Sequence, residues 1–234
     1  MTPAGALRIG LLGGTLDPVH LGHIAAAQAA RHALALDHVW LMPAHVPSHR
    51  GAPGASGWHR FAMAAVAVED EPGLGVTDIE LARTGTTYTW DTLDALSVAG
   101  FRSSQVFFIT GADAFSAIAT WYRYPELLER AHFVVVTRPG HPLAPEAHWP
   151  VEVTARVTSV TPDSVADPMP GPDEATRVWL VEARTPDVSS SVVRDRVREG
   201  GDIDSFVLPR VAAHIRRHGL YEAGASARTL HGEH

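Results

Sequence analysis

A short apolar run, Arg8–Leu12, stops at Gly13-Gly14 and gives way to an alanine-rich stretch, Pro18–Leu36, whose apolar residues recur at helical spacing. A buried strand that ends in a glycine turn and feeds a helix is the opening of a parallel crossover unit, and it restricts the fold more than any other feature of the chain. The same grammar returns downstream. Val39–Met42 reads as a strand closed by Pro43, Trp58–Val68 as a helix, Val76–Leu81 as a strand, and Thr89–Ser97 as a helix with Asp91 in its first turn. Val106–Thr110 is a further strand, followed by Gly111-Ala112-Asp113 and a helical stretch to Arg130. Phe133–Thr137 and Val178–Glu182 read as strands, Ser190–Arg198 and Pro209–His218 as helices. Alternating strands and helices predict an α/β fold, a doubly wound parallel sheet with helices on both faces and a helical C-terminal portion. We expect one domain over residues 1–221, with 141–176 as a Pro-rich excursion of no assigned role and 222–234 as a disordered tail.

Composition removes whole classes of chemistry. There is no cysteine, so disulfides, thiolate metal sites and cysteine nucleophiles are excluded. The 19 basic residues are all arginine, which excludes a P-loop lysine and a Schiff-base lysine. The net charge of −7 argues against a general nucleic-acid surface, although a few arginines and backbone amides suffice for a bound phosphate. No stretch of 18 apolar residues and no signal peptide is found, so the chain is expected in the cytoplasm, with no membrane partner.

The chemistry concentrates in Gly13-Gly14-Thr15-Leu16-Asp17-Pro18-Val19-His20-Leu21-Gly22-His23, at the carboxyl end of the first strand, where open α/β sheets place their ligands. Gly13 and Gly14 let a backbone approach a polyphosphate, and a helix starting near Pro18–His20 aims free amides at the same point. His20 and His23, three apart, are expected on one face of the first turn, with Gly22 leaving room for a ligand. Half of a zinc site is the other reading of the pair, but no cysteine exists to complete it.

Several ordered blocks make this sequence resemble the nucleotidyltransferases with a His-x-Gly-His signature, and among them the bacterial nicotinate-nucleotide adenylyltransferases. They are Gly13–His23; Arg83-Thr84-Gly85-Thr86-Thr87-Tyr88-Thr89-Trp90-Asp91-Thr92-Leu93; Gly111-Ala112-Asp113 with Trp121; Val188-Ser189-Ser190-Ser191-Val192-Val193-Arg194; and His218-Gly219-Leu220-Tyr221. The resemblance implies a Rossmann-like fold that transfers AMP from ATP to nicotinate mononucleotide with Mg²⁺ carried mainly on the ATP phosphates. It implies catalytic roles for His20, His23 and Arg194, and ATP contacts from Gly13, Gly14, Thr15, His20, His23, Gly111, Asp113, Ser190, Ser191 and Arg194. For the mononucleotide it implies Arg50, Thr87, Tyr88, Thr89, Trp121 and Tyr122. It allows a homodimer. Two positions depart from the family pattern: Pro47-Ser48-His49-Arg50 stands where Pro-Pro-His-Lys is common, and Ser191 where Thr is frequent.

Each of these residues also has a plainer reading. Asp113 could cap a helix, Trp121 and Tyr122 could be packing aromatics, Thr87–Thr89 could only start a helix, and Ser190, Ser191 and Arg194 could be a cap beside a solvated arginine. His141, His148 and His214 are expected at the surface. Rival functions are an adenylyl- or cytidylyltransferase acting on nicotinamide mononucleotide or phosphopantetheine, a class I aminoacyl-tRNA synthetase fragment, and a non-catalytic ATP-binding sensor. The synthetase would need a lysine-rich second signature, which a chain without lysine cannot have.

Overall fold

In the computed structural model, which describes residues 7–47, 52–83, 85–137, 149–160, 175–183 and 185–223, the apolar runs assemble into one seven-stranded sheet. Its strands are β1 (Ile9–Gly14), β2 (His38–Pro43), β4 (Leu74–Val76), β6 (Val106–Gly111), β7 (His132–Thr137), β8 (Val157–Val160) and β9 (Val178–Glu182). Their order is β4-β2-β1-β6-β7-β9-β8, and every neighbouring pair is parallel. A separate two-stranded piece pairs β3 (Val46–Pro47) with β5 (Thr86–Thr87).

Successive side chains of a strand point to opposite faces, and the sequence has apolar residues at both parities. Phe107, Ile109, Val134, Val136, Trp179 and Val181 fill one core with α1 (Leu21–Ala33), α2 (Gly57–Val68), α6 (Ser190–Arg198) and α7 (Pro209–His218). Val106, Phe108, Phe133, Val135, Val178 and Leu180 fill the other with α3 (Thr89–Val98), α4 (Ala112–Phe115), α5 (Val151–Thr154) and 3₁₀ turns at Ile118–Thr120 and Glu126–Glu129. This is the doubly wound parallel sheet that the strand–helix alternation predicts.

Four segments differ from the sequence reading, each for a physical reason. The helix expected over 18–36 begins at Leu21, because His20 stays extended and the Leu21 amide donates to the distant Phe206 carbonyl. The strand expected over 76–81 ends at Val76, where Thr77 Oγ1 accepts the Ile79 amide and Ala82 N–H bonds the Asp78 carbonyl to form a turn. The helix expected to reach Arg130 is broken, since Pro125 disfavours a helical Tyr124 and Arg123 adopts φ 61°. Within the 141–176 excursion, α5 and the edge strand β8 are regular structure. Of β8's four side chains only Val160 is buried, which leaves little apolar signal to read in advance. Glu222 and Ala223 are the described part of the expected tail.

Candidate active site

The chain leaves β1 towards β2 on one side, while β6 adds on the other, so the gap between the carboxyl ends of β1 and β6 is the topological switch point. Gly13 and Gly14 end β1, and Gly111 ends β6. The glycines have different reasons to be there. A Cβ on Gly13 would lie 2.8 Å from the Phe108 ring, so this glycine answers to packing; one on Gly111 would meet nothing within 4 Å among the described residues. Next in the loop, buried Leu16 takes φ 50°, a left-handed conformation that costs a leucine about 1–2 kcal/mol and is held by its surroundings.

The two imidazoles of the signature lie together, but not by projecting from one helical turn. His20 is the residue before α1, is buried, and its backbone N–H donates to His23 Nδ1 at 3.2 Å. The ring centroids are 3.7 Å apart with a 31° tilt. Since Nδ1 of His23 accepts, the ring's N–H is the one at Nε2. Gly22 serves the pair itself: a Cβ there would come within 3.0 Å of the His20 ring. The space expected for a ligand therefore holds His20.

Around the loop lies a buried network that the sequence reading passed over. Asp17, 3% exposed, accepts from Gly54 N–H (2.7 Å, Oδ2), Ala55 N–H (3.1 Å, Oδ1) and the Tyr221 hydroxyl (2.7 Å, Oδ1). Burial, and then the neighbouring Asp17 charge, push the Tyr221 hydroxyl far above its usual pKa, so it stays a donor. Arg60 is fully enclosed and donates to the carbonyls of Thr15 (2.7 Å), Ala55 (3.2 Å) and His45 (3.2 Å). Burial lowers its pKa, and the opposing charge of Asp17 restrains that shift. One signal was available for it: Arg60 shares the buried stripe of α2 with Met63, Ala64 and Ala67, an odd place for a guanidinium. Asp17 was visible only as a member of the signature.

The segment 189–194 closes onto this loop from the far end of the chain. Ser189, not Ser190, caps α6 by accepting the Val192 amide. Ser190 Oγ donates to the Pro18 carbonyl at 2.9 Å. Arg194 is half-buried and engaged: it donates to the Asp17 carbonyl at 2.7 Å and to Ser191 Oγ at 3.3 Å, with its Nη1 3.9 Å from Asp17 Oδ2. Thr15, Asp17, His20, His23, Ser190, Ser191 and Arg194 are thus brought together. Asp113 stands at the end of β6, exposed in the first turn of α4; Gly111 is the residue before that turn, so Asp113 is not its cap.

The residues expected to take the mononucleotide lie on the other side of the sheet end. Thr86-Thr87 pairs in parallel with Val46-Pro47, which sets Thr87 beside Pro47, three residues before Arg50 in the sequence; Arg50 itself lies outside the described residues, as do His141 and His148. Thr87 Oγ1 is buried with no hydrogen bond among the described residues. Tyr88 precedes α3, whose first residue is Thr89, and its ring lies 4.9 Å from that of Tyr122; the two tyrosines are 36% and 46% exposed. Trp121 is half-buried, edge-on to Phe108 and Phe133, so packing takes part of its ring. Buried Glu80 accepts from Thr92 Oγ1 at 2.8 Å and ties α3 to the preceding turn; burial raises its carboxyl to about 7.

Residues 11–196 match the cytidylyltransferase-like family. The chain is 37% identical over 213 residues, 91% of its length and 96% of the relative's, to a protein of Aeromonas hydrophila subsp. hydrophila named probable nicotinate-nucleotide adenylyltransferase. A protein of the same name from Pseudomonas syringae pv. tomato is 38% identical over 218 residues, covering 92% and 94% of the two chains. The fold superposes on the Plasmodium falciparum nicotinic acid mononucleotide adenylyltransferase complexed with NaAD with a TM-score of 0.70 at 16% identity, over 92% of this chain and 98% of that one. With its signature at the switch point and its relatives matched nearly end to end, the chain belongs to the cytidylyltransferase-like nucleotidyltransferases, in the nicotinate-nucleotide adenylyltransferase family.

Proposed function

We propose that this protein transfers AMP from ATP to the phosphate of nicotinate mononucleotide, giving deamido-NAD and pyrophosphate, a step of NAD biosynthesis. The observation that carries the reading is the imidazole pair of His20 and His23, held ring against ring at the β1–β6 switch point beside the strand-end glycines. The end-to-end relatives of that name support the choice of acceptor.

In the reaction a phosphate oxygen of the mononucleotide bonds to the α-phosphorus of ATP, and the bond from that phosphorus to the β-bridging oxygen breaks. The nucleophile is already anionic at neutral pH, since the second pKa of a phosphate monoester is about 6, so no general base is required. The site has to align two anions and neutralise charge as it shifts to the leaving group. His20 and His23 would donate to the triphosphate, Arg194 and the glycine-loop amides would hold the β/γ side, and Thr15 and Asp113 would contact the nucleotide; the Leu21, His23 and Ile24 amides of α1 are already bonded within the protein. The buried carboxylate beside the loop, Asp17, is already engaged by two amides and a hydroxyl. That fits Mg²⁺ arriving on the ATP phosphates, where it supplies charge neutralisation, rather than held by this chain. The buried Thr87 Oγ1 and the Tyr88–Tyr122 pair suit the acceptor's carboxylate and ring. The proposal extends to a cytoplasmic homodimer. Among the described residues no helix is long and apolar enough to cross a membrane.

Pyrophosphate release from Mg-ATP should be measured with nicotinate mononucleotide, nicotinamide mononucleotide and phosphopantetheine at equal concentration. The acid should be fastest, because aligned N–H donors reject the amide's own NH₂. Faster turnover of either other acceptor overturns the substrate assignment. ATP binding without release, whatever is added, makes the protein a sensor.

A further inference from the structure

Away from the switch point, His59 in the first turn of α2 meets His214 and His218 on α7. His214 and His218 are four apart on one helix face, the spacing that lets two imidazoles reach one ion. Their ligand atoms and that of His59 all lie within 4.8 Å of one another. His59 Nδ1 is 3.1 Å from His214 Nε2, close to the roughly 3.3 Å that separates two nitrogens on a tetrahedral zinc with Zn–N near 2.0–2.1 Å. The ring centroids are 4.4 to 5.3 Å apart. His214, expected at the surface, is therefore half-buried among imidazoles.

We infer that His59, His214 and His218 form a tris-imidazole site for a divalent transition-metal ion, zinc foremost, which fastens the C-terminal end of α7 to the start of α2. Three neutral nitrogens suit zinc, copper or nickel better than the oxygen-seeking magnesium of the nucleotide reaction. The C-terminal end of α7 also presents the negative end of the helix dipole to a cation. Three residues past His218, Tyr221 donates to Asp17, so an ion here would steady the turn that holds the signature loop. The inference stands independently of the adenylyl-transfer reading.

The full-length protein, stripped with chelator, should be dialysed against Zn²⁺ for stoichiometry and against Co²⁺ for visible d–d absorption. One equivalent per chain and intense tetrahedral-type Co²⁺ bands are expected, with zinc raising Tm. His218→Ala changes an exposed side chain and should weaken binding at least 100-fold, remove the bands and abolish the Tm rise; His214→Ala and His59→Ala should do the same. A His231→Ala/His234→Ala double variant, which alters the remaining histidines of the C-terminal sequence, should bind as the parent does. Binding that survives His218→Ala, or disappears in the His231/His234 variant, overturns the assignment. So does the lack of any stoichiometric ion, which would leave only an inter-ring hydrogen bond between His59 and His214.

Discussion

The two halves of the candidate site are built by different means. The phosphate corner is tied by hydrogen bonds that reach across the chain: buried Asp17 accepts from Tyr221, 204 residues away, and Ser190 reaches back 172 residues to Pro18. The acceptor side consists of half-open aromatics, a threonine hydroxyl with no hydrogen bond among the described residues and a two-residue strand pairing. Charge that shifts during a reaction is best stabilised by dipoles fixed beforehand in a dry place. A flat aromatic ring needs a face left free to be covered. The first requirement favours over-determination, the second exposure, and the two regions diverge accordingly.

Substitutions that break one region and spare the other test this contrast. The largest effect is expected from Asp17→Asn. Both carboxylate oxygens accept a backbone amide, so either orientation of the carboxamide sets an NH₂ against an N–H donor. Urea unfolding should show a loss of about 3–5 kcal/mol. An unchanged midpoint would mean that the network does not hold the corner. Next come His20→Ala and His23→Ala, which should each lower turnover about 100-fold or more in single-turnover assays of the folded variants. Near-parental rates in both would remove the imidazoles from the chemistry.

Glu80→Gln examines the support under the acceptor side. An acid whose folded pKa is raised from 4.5 to about 7 binds more protons folded than unfolded across that window, so its contribution to stability falls as pH rises through it. At pH 8 the buried carboxylate is ionised, and Gln, which can still accept from Thr92, should stabilise the protein by about 2–3 kcal/mol. The difference should vanish below pH 4.5, and melts at the two pH values decide it. The smallest effect is expected from Tyr122→Ala, which should raise KM for the mononucleotide about tenfold while leaving kcat and the KM for ATP within about twofold. A matching rise for ATP would show that the two halves are not separate.

Where local rules suffice, the sequence was legible to the residue. α6 and α7 run over the predicted Ser190–Arg198 and Pro209–His218, because Ser189 caps one and Pro209 starts the other, which Gly219 ends in a left-handed turn at φ 59°. The break of the helix at Pro125 was written in the chain and read too weakly. Of the site, the signature, the paired histidines and the strand-end glycines were legible as types in a pattern.

By itself the sequence determined the parallel two-faced sheet, since apolar side chains at both strand parities can be buried only between two layers of helices. It also determined which end of the sheet holds the chemistry, because the glycines and histidines follow a strand. Only the tertiary structure decided what each residue does there. Gly22 accommodates an imidazole, Arg60 gathers three carbonyls, and Asp17 joins a loop to residues near the other end of the chain. Spacing along a chain encodes local periodicity, whereas a hydrogen bond between residues some 200 apart depends on how every intervening element has packed.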